Sequence, residues 1–271
     1  SGYSRCTRHL GLSLPPPIPH AWHVSESYCQ LSMKPIKKHV CMVMLFASVG
    51  VCTAAFAEME DDPVLTKAMI GQLEMRAASG DNPLVWDDVQ AWVGKDLNKL
   101  WLKTSGEHID SRIEELEIQL LYSRAVAAYW DLQVGWRGDL RPEPTRDWFA
   151  LGFKGLAPYF FEIDAAVFIG ESGHTAARFE GEYEFLFTQR LILAPNIEIN
   201  WYGKDDVEVG IGSGLSDIEI GLRLRYEIRR EFAPYIGLNW SKKFGKTENF
   251  TRAAGQETDD FQWVIGLRAW F

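Results

Sequence analysis

Hydrophobic and polar residues alternate along most of the chain after about residue 70. The segment 217–228, DIEIGLRLRYEI, places Ile218 and Ile220 on one face and Asp217 and Glu219 on the other. An alternation with a period of two predicts a β-strand that has one apolar and one polar face. A soluble β-sandwich alternates in the same way, so this segment alone leaves open what covers the apolar face.

The last eleven residues favour a membrane. Counting back from Phe271, alternate positions at 261, 263, 265, 267, 269 and 271 are all apolar, and the chain ends in Trp-Phe. A final strand of this kind is typical of bacterial outer-membrane barrels, in which strands of about 9 to 11 residues alternate between a lipid face and a lumen face.

Turn signals divide the chain into twelve predicted strands. They span 70–78, 84–94, 98–105, 111–123, 129–140, 147–155, 159–169, 176–187, 192–202, 216–228, 234–244 and 261–271. The connections after even strands are compact, whereas those after odd strands are longer or richer in Gly, Pro and charge, including SGEHID at 105–110. Such asymmetry is expected when the two ends of a barrel face different compartments. We therefore predict an all-β fold, a transmembrane antiparallel up-and-down β-barrel of about twelve strands over 70–271.

The first 57 residues resemble an export signal rather than part of the fold. Lys34, Lys37 and Lys38 precede the apolar stretch 40–51, and Ala55-Phe56-Ala57 forms a small-x-small cleavage box. We interpret 33–57 as a secretory signal peptide, 1–32 as an upstream artefact of translation, and 58–69 as a short N-terminal segment. A single membrane anchor is the alternative for this stretch. All four cysteines lie at or before residue 52, so the predicted mature chain has no disulfide.

Composition excludes several classes of protein. The net charge of −9 does not suit a nucleic-acid binder, and 13% aromatic residues do not suit a disordered chain. After residue 57 no uncharged stretch reaches the roughly 18 residues that a membrane helix needs.

The polar face of the predicted barrel is rich in carboxylates. Glu162 and Asp164 lie on one predicted strand, and Glu180, Glu182 and Glu184 lie on the next. Two interpretations remain open. Cross-strand ion pairs could hold the wall together and close the lumen, or a narrow acidic lumen could attract cations.

Several motifs resemble the outer-membrane copper-resistance protein B (CopB) family. The motifs are GLAPY at 155–159, TAAR at 175–178, TQRL at 188–191, YGKDD at 202–206, GIGSGLSD at 210–217 and LRYEIRREFAPY at 224–235. The resemblance implies a twelve-strand barrel in the outer membrane of a Gram-negative bacterium, reached by Sec export. It also implies a role in copper homeostasis with periplasmic partners, namely a multicopper oxidase and copper-binding proteins. It implies no enzymatic activity, and the expected ligand is copper ion.

One departure from the family concerns the copper ligands. Many members carry a long Met- and His-rich segment ahead of the barrel, and here it is reduced to EMEDDPVLTK at 58–67. The remaining candidate ligands with sulfur or imidazole are Met59, Met69, Met75, His108 and His174, and both histidines fall in predicted outer loops. His174 near Ser172 and Glu171 is also the candidate base of an alternative outer-membrane hydrolase, although no nucleophile elbow accompanies it.

The export signal yields a direct prediction. Mass spectrometry of the mature protein should find Glu58 at the N-terminus and no thiol that can be alkylated, because all four cysteines leave with the signal peptide. Recovery of a mature chain that retains Cys41 and Cys52 would contradict this interpretation.

Overall fold

The computed structural model describes residues 62–77 and 82–271, and these residues form antiparallel strands. The strands are β1 (Leu65–Ala77), β2 (Leu84–Gly94), β3 (Asn98–Ile109), β4 (Arg112–Ala127), β5 (Trp130–Arg141), β6 (Arg146–Ala157), β7 (Phe161–Gly170), β8 (Thr175–Glu182), β9 (Phe185–Leu186), β10 (Leu191–Tyr202), β11 (Gly214–Tyr226), β12 (Phe232–Lys243) and β13 (Asp259–Trp270). The predicted signal peptide and upstream segment lie outside the described residues.

The strands close into a barrel. Each strand pairs with its neighbour in sequence, except that β8 pairs with β10 rather than with β9, and β13 pairs with β1 to complete the circle. The two-residue strand β9 continues β8 along the edge of β10, so the wall has twelve strands. The predicted fold class is confirmed. The first strand begins at Leu65, earlier than the predicted start at 70.

The outside of the wall is apolar and the inside is polar. On β6, Phe149 is 51% exposed while its neighbour Trp148 is 6% exposed, so the two side chains occupy opposite faces. Exposed apolar side chains recur around the wall at Leu100, Leu102, Leu120, Leu151, Val167, Ile169, Ile220, Ile236, Trp263 and Ile265. Alternation on closed strands is the cause, because every second side chain must point outward.

No helix in residues 62–77 and 82–271 is both long enough and apolar enough to cross a membrane.

The connections differ in length at the two ends of the barrel. The end that carries the 203–213 connection between β10 and β11 and the 244–258 connection between β12 and β13 is called the long-loop end, and the other is called the short-turn end. The prediction of a loop at SGEHID is wrong, because β3 continues to Ile109 and β4 begins at Arg112. Asp110 and Ser111, with φ of 45° and 69°, form a two-residue turn whose twist matches that of the hairpin.

A short helix in the 244–258 connection is hydrogen-bonded to the 203–213 connection. Helix α1 (Gly245–Ala253) packs on β11, and its Thr247 Oγ1 accepts a hydrogen bond of 2.9 Å from the backbone N–H of Gly212. Lys246 Nζ donates a hydrogen bond of 2.7 Å to Asp205. The two loops therefore form one bonded unit at the long-loop end.

Removal of Phe271 should impair closure of the barrel. The backbone N–H of Phe271 donates to the carbonyl of Ala68 at 2.8 Å, and the N–H of Ala68 donates to the carbonyl of Phe271 at 3.0 Å. Deletion loses both bonds at the seam, so a smaller fraction of refolded protein should migrate as the compact form on unheated gels. Phe271→Ala keeps the backbone and is the matched control; equal refolding of the deletion and this control would contradict the prediction.

Candidate functional site: the barrel lumen

The lumen is filled by charged and amide side chains, because closure turns the polar face of each strand inward. Those that are most buried include Glu74, Arg76, Gln90, Gln133, Arg137, Arg223, Arg225 and Asn239. Buried charges are tolerated only when they are paired and hydrogen-bonded. The pairing pattern therefore decides what the lumen can do.

Glu74 is the centre of the most buried ionic cluster. Its side chain is 0% exposed and accepts hydrogen bonds from Arg76 Nε at 2.8 Å and from Tyr235 at 3.0 Å. Arg223 donates to both carboxylate oxygens of Glu74, at 2.9 and 3.0 Å. Arg76 continues to Glu219 at 2.9 Å, so the cluster links β1, β11 and β12.

Other ion pairs reach across the lumen between strands that are distant along the wall. Lys103 on β3 lies 2.7 Å from Asp164 on β7, and Arg178 on β8 lies 2.9 Å from Glu117 on β4. Each pair joins strands that are four positions apart in the wall. These cross-lumen pairs narrow the interior of the barrel.

Four carboxylates stand side by side on the inner wall, one on each of β7, β8, β10 and β11. Asp164 lies opposite Glu180, Glu180 lies opposite Glu198, and Glu198 lies opposite Glu219 in the strand registers. We call this set the acidic row. Like charges directly opposite each other on a sheet are destabilising, so the row needs cations beside it.

The carboxylates of the acidic row differ in how closely cations hold them. Asp164 contacts Lys103 at 2.7 Å, and Glu198 lies 3.3 Å from Arg178. Glu180 lies 3.9 Å from Arg178, and 44% of its side chain is exposed. Glu180 is therefore more available to a mobile cation than Asp164 or Glu198.

At least two cavities lie between the ion pairs. The acidic cavity has about 490 Å³ of empty space and is lined by the carboxylates Asp87, Asp88, Glu117, Asp164 and Glu180 and by the cations Lys103 and Arg178. The arginine cavity has about 380 Å³, and its lining includes Gln72, Asp88, Glu182, Arg223, Arg225 and Arg268. Both cavities are lined mainly by charged and polar side chains.

All five carboxylates that the sequence singled out lie on the strands β7 and β8 or beside β9. Glu162 is paired in register with Glu182, as Asp164 is with Glu180. Glu184 lies in the interruption between β8 and β9 and binds Arg268 at 3.0 Å. The structure therefore brings Glu162, Asp164, Glu180 and Glu182 together, whereas Glu184 is ion-paired with Arg268.

The candidate sulfur ligands do not converge. Met59 lies outside the described residues. The Sδ of Met69 is 3.9 Å from Arg268, whereas Met75 is 53% exposed and alternates with the buried Glu74 and Arg76. Met75 is therefore on the outer face of the wall, away from the lumen.

The two histidines are also separate. His108 is near the end of β3, inside the strand rather than in the predicted outer loop. His174 directly precedes β8, five strands away along the wall, and its ring packs edge-on against Trp148. Nδ1 of His174 is 4.0 Å from Asp206, and hydrogen bonds from Arg146 lower the pKa of Asp206 below its ordinary value.

Within the described residues, no group of three or more His, Cys, Asp and Glu side chains is close enough together to hold a metal ion.

Asp87 and Asp88 are lumen residues that strand alternation does not find. Consecutive residues of a regular strand point to opposite faces, yet both line the acidic cavity. The register with β3 shifts between Trp86 and Val89, which is the mark of a β-bulge. Two adjacent acidic residues within an apolar strand, VWDDV, were the available signal.

Comparison with known proteins gives a consistent result. The family model described as "Copper resistance protein B precursor (CopB)" matches residues 64–271. Copper resistance protein B of Escherichia coli is 43% identical over 80% of this chain and 75% of its own length. The copper resistance protein B homolog of Pseudomonas syringae pv. tomato is 40% identical over 79% of this chain and 72% of its own length.

Among solved structures, the NanC porin matches 76% of this chain and 99% of its own, with 11% identity and a TM-score of 0.51. At this identity the likeness concerns the fold.

Loss of the Glu74 carboxylate should strongly destabilise the barrel. Glu74→Ala removes the acceptor that the buried Arg76 and Arg223 share, and breaking a buried pair costs about 3 to 5 kcal/mol. The free energy of unfolding of the refolded barrel in urea measures this loss. Glu143→Ala, which removes an exposed pair with Arg141, is the control and should cost less than about 1 kcal/mol. Equal losses in the two variants would contradict the central place of Glu74.

Proposed function

The chain belongs to the copper resistance protein B family, and from this premise we propose that its barrel passes copper ions across the outer membrane of a Gram-negative bacterium. Copper ions bind to the lumen carboxylates in transit. The barrel works with periplasmic copper-handling partners, a multicopper oxidase and copper-binding proteins. The names of its relatives describe copper resistance and no reaction, and in our proposal the barrel is not an enzyme.

The acidic row is the observation that supports passage of a cation. Four carboxylates in direct register give a negative potential on one side of a narrow interior, and low-dielectric walls concentrate such a field. Carboxylate oxygens hold copper less tightly than thiolate or imidazole does. Conduction needs sites that bind the ion well enough for it to enter and weakly enough for it to leave. A row of carboxylates meets both conditions.

The apolar outer face supports the membrane location. Large side chains such as Leu151, Ile220 and Trp263 are exposed on the outside while the charges lie inside, the reverse of a soluble protein. In hydrocarbon each unpaired backbone group costs several kcal/mol, and a closed wall leaves no strand edge unpaired. Outer-membrane lipid is therefore the medium that this surface fits.

A second candidate function is a structural barrel whose lumen is closed by ion pairs. The Glu74 cluster and the cross-lumen pairs favour it, because they fill space that an open porin leaves to water. The two functions differ in whether the loosely held carboxylate of Glu180 affects copper content.

Copper content of cells separates the two functions. A strain without the barrel, and one in which Glu180→Gln replaces the wild type, should both differ from wild type in copper content and copper sensitivity, in the same direction. Neutralising a carboxylate in a focused field should change flux by about tenfold. Glu248→Gln on helix α1, which only weakens an exposed pair with Arg252, is the matched control and should behave as wild type.

Unchanged copper content in both the deletion strain and the Glu180 variant would exclude copper passage. A phenotype in the deletion strain but none in the Glu180 variant would favour the structural barrel.

A further inference from the structure

Of the described residues, Asp88 alone lines both the acidic cavity and the arginine cavity. The acidic cavity includes Ser105 and Phe168, which lie toward the long-loop ends of their strands. The arginine cavity includes Arg225 and Arg268, near the short-turn ends of theirs. Asp88 therefore lies where the two cavities meet.

We propose that Asp88 is the residue that selects divalent cations between the two cavities, with the side-chain carbonyl of Gln72 as its companion oxygen ligand. This inference rests on the proposed copper passage and names the place in the lumen where selection occurs.

The backbone places the carboxylate of Asp88 at this point by means of the bulge. Trp86 pairs with Gly106 and Val89 pairs with Thr104, so β2 takes three steps where β3 takes two, and Asp87 and Asp88 lie in the bulge. Asp88 has a φ of 50°, a left-handed conformation that Asp adopts more readily than most residues. The bulge therefore directs the side chain of Asp88 into the lumen, whereas regular alternation would direct it outward.

Gly71 makes room for that carboxylate. A Cβ atom at residue 71 would lie 2.3 Å from Oδ2 of Asp88, so any other residue would displace the carboxylate. On the other side, Nε2 of the buried Gln90 donates a hydrogen bond of 2.7 Å to Oδ1. The position of the Asp88 carboxylate is thus fixed from two directions.

Gln72 supplies an independent sign of a ligand. Its residue is only 8% exposed, it lines the arginine cavity beside Asp88, and its Oε1 has no hydrogen-bond partner in the described part of the chain. A buried acceptor without a partner costs about 1 to 3 kcal/mol. Carboxylate and amide oxygens together are typical ligands of a hydrated divalent cation.

The arginines on the far side of this cavity are largely occupied. Arg223 binds Glu74 with two hydrogen bonds, and Arg225 and Arg268 both bind Glu184. The Nε of Arg225 has no partner among the described residues, and this donor suits a water molecule of the cation's shell. Glu182 adds a carboxylate to the same cavity.

Ion selectivity of the purified barrel tests the proposal. The full barrel is reconstituted in planar lipid bilayers, and the reversal potential is measured under a gradient of copper(II) chloride. Asp88→Asn keeps the size of the side chain and tolerates the left-handed backbone, and it should lower the Cu²⁺/Cl⁻ permeability ratio by about tenfold. Asp110→Asn, at an exposed turn residue that has a similar left-handed φ of 45° and lines neither cavity, is the matched control and should keep the wild-type ratio.

A second variant distinguishes a loss of selectivity from a folding defect. Gln72→Leu removes an acceptor that has no partner, so it should refold, and it should lower the ratio less than Asp88→Asn does. If the wild type prefers Cu²⁺ and neither variant changes the ratio, selection at Asp88 is wrong and copper passage stands. If the wild type carries no Cu²⁺ current, both the passage and the selection are wrong.

Discussion

Every other feature of this protein depends on the pairing of β13 with β1. A backbone N–H or C=O without a partner costs several kcal/mol in hydrocarbon, so a twelve-strand wall is stable there only when its first and last strands meet. Closure also separates the two faces of each strand completely. The apolar face is then the only wall surface that contacts lipid, and the charged face lines the lumen.

The charges inside must satisfy one another, and this requirement shapes the space that remains. Glu74 binds Arg76, Arg223 and Tyr235 so fully that it acts as a fixed part of the wall. Glu180 is different, because its nearest cation is 3.9 Å away. The lumen thus combines rigid ion pairs, which set its shape, with carboxylates such as Glu180 that are held more loosely.

Sequence alternation predicts the fold well because lipid and lumen impose opposite demands on neighbouring residues, as Ile218 and Glu219 show. It fails where the backbone departs from regular geometry. The turn at Asp110 and Ser111 is too tight for composition to reveal, and the bulge at Asp88 breaks the period of two. Cross-lumen pairs such as Arg178 with Glu117 depend on strand tilt and register, which a single sequence does not contain.

The pairing of β1 with β13 determines when the barrel can close during folding. It joins residues 69–77 to residues 263–270, the pairing most distant in sequence among the described strands. Because β13 is synthesised after all the other strands of the barrel, no shorter product can complete the wall. Long-range contacts also form slowly, because the chain loses conformational entropy before these contacts begin to stabilise the fold. The period between synthesis and closure is therefore when this protein is most open to aggregation.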